Sequence, residues 1–479
     1  MAFVFLHIYI AKQPHNNTQC FNYMNTVNSQ IETKTLQRNL GFKESLALNM
    51  IDMVGIGPFI VLPMVIQSMN GPQAIIAWIA GALLAFVDGC IWAELGAAMP
   101  KAGGSYEFLK ESYGKFSFGK IMSFLFIWQT VFQAPLVIAS GSIGFSQYFS
   151  YVIPVSLIQQ KMIAGGIVIL IFLLLYRNIK DIGKISLVLW ITVIGTMGWL
   201  IFGGITHFNY AYAFDIPAEP SVFSSLFFAG LGHAMLKTVY SYLGYYNVCH
   251  LGGEISEPEK IIPKSIFYSI AGIAILYCAL HISIIGVIPW QQAAQSQFIV
   301  STFVQSIYGS TAAYIATILI LIIAFSSLFA VTLGYSRIPY AAAKDGVFFK
   351  VFAQLHPTKH FPHISLIILC SVAFIFSLLF RMSEIITAIV AMRALVQFVG
   401  GGIGLILLRK RNGKTFFPWK MKLYPLPIII AIAIWLFLFI STGIFALYGI
   451  GFIALGLIIY FIRAYSLSEF PFSMNKHHE

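Results

Sequence analysis

From residue 45 to residue 463 the chain repeats one pattern, an apolar run followed by a short polar stretch. Many of the runs reach the roughly 20 helical residues needed to cross a hydrocarbon core of about 30 Å. Inside such a core only helices and closed barrels satisfy their own backbone. Barrel strands would alternate over about 10 residues, and these runs do not. The pattern therefore predicts an all-α polytopic membrane protein of twelve spans, near 45–68, 73–99, 119–150, 161–178, 184–207, 222–252, 263–288, 311–343, 363–380, 383–408, 424–442 and 444–463. With 58% hydrophobic and 10% charged residues, a soluble chain is excluded.

A formal charge of +12 would suit nucleic acid in a soluble protein. Here the placement of Lys and Arg matters more, because it sets topology, and no nucleic-acid partner is expected. With the N-terminus inside, nearly all of the 29 Lys and Arg fall in cytoplasmic segments. Lys161 and Arg381 lie outside, and Lys237 and Arg393 lie within spans. The basic stretches 101–115 and 409–422 are then inside, and the uncharged 289–310 is outside. Both termini are expected in the cytoplasm and the protein in the cell (plasma or inner) membrane. Residues 1–42 read as an N-terminal tail without the features of a signal peptide, and 466–479 as a C-terminal tail. The five cysteines stand singly, which argues against a disulfide framework or a zinc site.

Two spans carry interruptions. The first, IDMVGIGPFIVLP, places Gly55, Gly57 and Pro58 mid-membrane; the sixth, VYSYLGYYNVCH, places Ser241, Gly244 and Asn247 there. Irregular backbone at that depth survives only where it is buried in protein or lines a wet cavity. Each broken span opens a group of five, and the two groups start on opposite sides of the membrane. Matched interruptions in inverted halves point to a transporter's central site. A half-helix beginning at Pro58 presents free N–H groups and a positive dipole end, which suit a carboxylate. Unwound carbonyls suit a cation, so both together suit a zwitterion.

Four motifs in order give this reading a family. VGIGPFIVLP, WAELGAAMPKAGGSYEFLKESYG (92–114), YSYLGYYNVCHLGGEISEPEKIIPKSI (240–266) and SRIPYAAAKDGVFF (336–349) resemble the amino acid-polyamine-organocation superfamily of permeases, especially its bacterial amino acid permease branch. The resemblance covers roughly 45–465. It implies a five-plus-five inverted repeat of the leucine-transporter type, with halves 43–208 and 209–410, plus two further helices in 411–465. It also implies a secondary transporter of amino acids working by alternating access, with no cofactor; a permease or exchanger of polyamines or other organic cations is the alternative. The substrate carboxylate would meet the amides of Gly55, Ile56 and Gly57. The amino group would meet carbonyls of Met53, Tyr240, Ser241 and Leu243 beside Gly244, with Tyr240 closing over the substrate from outside. Two departures stand out: Ile56 replaces the family's Ser, and Pro58 removes an N–H. A Lys midway along helix 5, found in many relatives, is absent near Thr192 and Val193.

Charges within spans need partners. Lys237, three residues before Tyr240, either touches the transport pathway or forms a buried ion pair with Asp88 or Asp52. Asp52 attracts a cationic substrate, pairs with Lys237 or caps a helix end. His233 carries protons or serves packing, and Arg393 is expected to pair structurally. Ser326 and Ser327 fall where relatives build one side of a cation site, so a proton or a sodium ion remains open as the coupling ion. Glu254 and Arg337 form either an inner gate or a surface ion pair. His356, His360 and His363 have helical spacing, but Pro357 and Pro362 spoil a helix there, and no metal site is predicted. An integral membrane enzyme would need convergent catalytic groups at one face; the sequence offers none.

Overall fold

The computed structural model describes residues 36–217, 224–379 and 382–472. Most of the expected N-terminal tail and the last residues of the C-terminal one lie outside that description. Apolar sequence folds into helices throughout: α1 (Phe42–Met53), α2 (Gly57–Met69), α3 (Ile75–Ala98), α4 (Ser105–Ser112), α5 (Phe118–Val152), α6 (Leu157–Leu175), α7 (Ile179–Thr206), α8 (Ser225–Tyr242), α9 (Pro258–Ile285), α10 (Ile299–Tyr308), α11 (Ser310–Tyr335), α12 (Arg337–Lys344), α13 (His363–Leu379), α14 (Met382–Arg393), α15 (Gly400–Asn412), α16 (Leu426–Ser441) and α17 (Ile444–Ser466). Local chemistry sets several starts. Ser156 and Gln159 form a capping box for α6, Asn178 accepts from the Asp181 amide at the head of α7, and Ser224 accepts from the Phe227 amide at the head of α8. Between α14 and α15, Ala394–Val399 winds as a π-helical turn.

Among the described residues, eight helices are long and apolar enough to cross a membrane, and α1 with α2, bent by 45°, makes a ninth if the pair is one span. At the other three expected spans stand α8, α13 and α16, of 18, 17 and 16 described residues. The uncharged segment 289–310 is no plain loop, since it holds α10, whose Ile299, Val300, Phe303 and Val304 are buried. The 101–115 segment likewise folds, as the amphipathic α4 packed on α5 and α15.

The centre of the molecule is formed by the broken helices and their neighbours. α1 packs against α7, α9 and α11, α2 against α8, and α3 along α9. α6 and α17 are the outliers: only 22% and 17% of their apolar windows are buried, as suits helices facing lipid. Ion pairs join segments at the ends of the spans. Glu94 is fully buried and takes the Arg409 guanidinium through both oxygens, at 2.5 and 2.7 Å. Lys110 bridges Glu107 and Asp345. Glu107 lies outside the spans, and burial pushes its carboxyl above the usual carboxylate range, against the pull of Lys110.

Candidate functional site

The first interruption is the stretch Val54–Ile56 between α1 and α2. Pro58 sits in the first turn of α2, where its missing N–H would have had no intrahelical partner. Gly55 is required by proximity: a Cβ there would stand 2.5 Å from the Ser327 hydroxyl oxygen of α11. That hydroxyl donates to the Asp52 carbonyl at 3.1 Å, pinning the end of α1. The Gly55 amide turns back to the Met53 carbonyl (3.2 Å), but among the described residues the amides of Ile56, Gly57 and Phe59 have no acceptor.

At the second interruption α8 stops at Tyr242. Leu243 is extended and Gly244 takes a φ of +124°, which favours glycine. The Asp52 carboxylate lies directly against Gly244, where a Cβ would come within 2.9 Å of Oδ2. The sixth span was expected to run to 252; beyond the break it forms only a single helical turn, Asn247–His250, and a 3-10 turn, Gly252–Glu254. Neighbouring helices hold this segment in place. The Asn49 side chain donates to the Tyr245 carbonyl (2.7 Å) and accepts from the Val248 amide (2.9 Å). Asn247 donates to the Ala330 carbonyl (3.0 Å). Tyr277 of α9 ties the two interruptions together, its hydroxyl lying 2.6 Å from the Met53 carbonyl and 3.2 Å from the Ser241 carbonyl.

A cavity of about 70 Å³ opens between the breaks. Met53, Gly55, Ile56, Gly57, Tyr240, Ser241, Leu243 and Gly244 all line it, together with Asp52 and Ser327. The Tyr240 hydroxyl shares a hydrogen bond with Ser140 (3.2 Å), and its ring stands so near Gly57 that a Cβ there would lie 3.2 Å from it. Glu254 and Arg337 are no surface pair. They form a two-pronged contact at 2.8 and 2.9 Å, each side chain 1% exposed.

Other expected residues lie elsewhere. The Lys237 ammonium bonds to Ser68 of α2 and to the His233 carbonyl, both at 3.1 Å, so it meets neither the cavity nor Asp88 or Asp52. Three residues before Tyr240, its long side chain is drawn to the end of α2 instead. His233 lines a shallow surface recess with Phe228, Phe437 and Ile440. Asp88 is enclosed by donors from Trp92, Tyr245 and Trp435. The Ser326 hydroxyl turns to Ile322 within its own helix (2.7 Å). At the helix 5 position, Thr192 bonds to Val188 and Val193 is buried.

The intramembrane cation that does line the cavity is Arg393, expected only to pair structurally. It makes no ion pair among the described residues. Its Nε donates to Gln397 at 2.9 Å, and its guanidinium lies over the Tyr246 ring at 4.9 Å. The sequence did carry a signal for it, because any ionisable residue in a span is a functional candidate by default. Tyr277 carried none: it stands in an unbroken apolar run.

A sequence profile of the amino acid permease family matches residues 40–462. The chain belongs to the amino acid permease family. Curated relatives agree with that placement. A methylthioribose transporter of Bacillus subtilis is 24% identical, over 93% of this chain and 97% of its own. The serine/threonine exchanger SteT of the same species is 25% identical, over 83% and 90%. The branched-chain amino acid permease BcaP, also from B. subtilis, is 25% identical, over 90% and 93%. The family and these relatives are transporters and permeases, not enzymes. This permease is accordingly an all-α multi-pass membrane protein that serves amino acid transport, with small-molecule amino acids as the substrate class its family implies.

Proposed function

We propose that this permease carries amino acids across the cell membrane by alternating access, holding the zwitterion between the two interrupted helices. The supporting observation is the cavity itself. Residues carrying open amides at the start of α2, Ile56 and Gly57, and residues at the ends of α1 and α8, Met53 and Ser241, line one space. The positive end of the α2 dipole faces the substrate carboxylate. The ammonium meets the Met53 and Ser241 carbonyls and the Asp52 carboxylate. Residues 43–208 and 209–410 act as inverted halves, both termini are cytoplasmic, and a proton or sodium ion supplies the coupling. Tyr240 is the outer gate, and the buried Glu254–Arg337 pair is the inner one.

Asp52, lining the cavity without an ion pair among the described residues, favours an organic cation as cargo, but Arg393 in the same cavity repels a dication. Thermal stabilisation of the purified protein, screened over amino acids and amines at two pH values with and without sodium, tests the reading, followed by uptake in proteoliposomes. Stabilisation and uptake of at least one amino acid are expected. Putrescine displacing every amino acid would move the assignment to organic cations, and silence across the whole amino acid panel would overturn it.

A further inference from the structure

Once a zwitterion is accommodated, one charge in the cavity is left over. The α-carboxylate has the free amides of α2, and the ammonium has the Met53 and Ser241 carbonyls and Asp52. Arg393 comes from a third element, α14, at the step into the π-helical turn. It is 2% exposed, lines the cavity and leaves Nη2 without a hydrogen-bond partner among the described residues. The rings of Tyr246 and Phe398, 4.9 and 5.4 Å from the guanidinium, cradle the cation. Asp52 is the carboxylate lining the same cavity, and it makes no ion pair with Arg393 within 4 Å.

A buried guanidinium with an open donor is costly unless an anion meets it, and its planar fork matches a carboxylate. We propose that Arg393 is the specificity residue of this site and selects amino acids whose side chain is itself anionic, of the aspartate or glutamate class. The inference rests on the amino acid reading above. A substrate with three charged ends then finds three counterparts: helix end for α-carboxylate, Asp52 and carbonyls for ammonium, Arg393 for side-chain carboxylate. Aspartate and glutamate are separated from asparagine and glutamine by little more than charge, so the amides probe Arg393 alone.

The test is uptake of labelled L-glutamate and L-glutamine by purified full-length protein in proteoliposomes, with unlabelled L-aspartate and L-asparagine as competitors. The acids are expected to outcompete their amides by roughly 100-fold. Arg393→Gln should erase that preference while glutamine uptake persists, and Arg393→Lys should keep part of it. Equal handling of acids and amides by the unaltered protein overturns the inference and leaves amino acid transport standing, and that comparison needs no variant. Loss of acids and amides alike in a normally folded Arg393→Gln also overturns it, since the guanidinium would then hold the α-carboxylate common to both. If no amino acid is taken up or bound at all, the amino acid reading fails, and this inference with it.

Discussion

At the first interruption no neighbouring side chain takes up the open backbone amides, whereas at the second, side chains of neighbouring helices anchor the segment even though the amides of Gly244, Tyr245 and Tyr246 also have no acceptor among the described residues. Three amides around Gly57 are open among the described residues. The segment after Gly244 is instead held by Asn49 from α1, by the Ala330 carbonyl of α11 and, through Tyr245, by Asp88. An unsatisfied backbone group in the membrane core costs several kcal/mol, so the open amides at both breaks call for water or a polar ligand in the cavity. The second break is anchored by side-chain bonds to neighbouring helices, which makes it the fixed wall of the pair. Substitutions at the two should therefore separate, the first changing binding and the second changing stability.

The largest effect is expected for Gly57→Leu. Its side chain would press on the Tyr240 ring and fill the cavity, lowering uptake by at least roughly 10³-fold with membrane insertion and melting temperature retained. Arg337→Ala leaves Glu254 charged and buried at the foot of the second break, and chemical denaturation should show a loss of about 3–5 kcal/mol. Asn49→Ala removes the amide that serves both the Tyr245 carbonyl and the Val248 amide; a loss of about 2–3 kcal/mol is expected in the same assay. If it weakened ligand binding at unchanged stability, the division between a reactive break and a fixed wall would collapse. Tyr277→Phe, which touches both breaks through one hydroxyl, should be mildest, at about 1 kcal/mol, detectable as a few-fold change in substrate affinity by isothermal titration.

The long apolar runs and the two Gly-containing interruptions were legible because the bilayer imposes both length and backbone satisfaction on the sequence. The motif order carried the family, and the cavity-lining residues Met53, Gly55, Ile56 and Gly57 followed from it. Three things were not legible. The charge of Arg393 within a span was visible, but its place in the cavity was not, because the π-helical turn beside it shifts the facing of side chains away from simple α-helical phase. Lys237 was placed by its spacing from Tyr240, but its four-carbon stem carries the charge away from the face on which its Cα sits. The second half of the sixth span reads as apolar helix, yet Asn49, Asn247 and Gly244 hold it in turns. Its conformation depends on partners nearly 200 residues away in sequence, which no local pattern records.

Counting protons at Tyr277 gives its position a further meaning. The Met53 and Ser241 carbonyl oxygens together offer four lone pairs. The described neighbours supply two hydrogens, one from the Tyr277 hydroxyl and one from the Gly55 amide. Two acceptor positions remain, and an incoming ammonium brings three hydrogens. Two can fill those positions and the third can fall to Asp52, so the shell around the nitrogen closes without any backbone group having to give up the partner it already has.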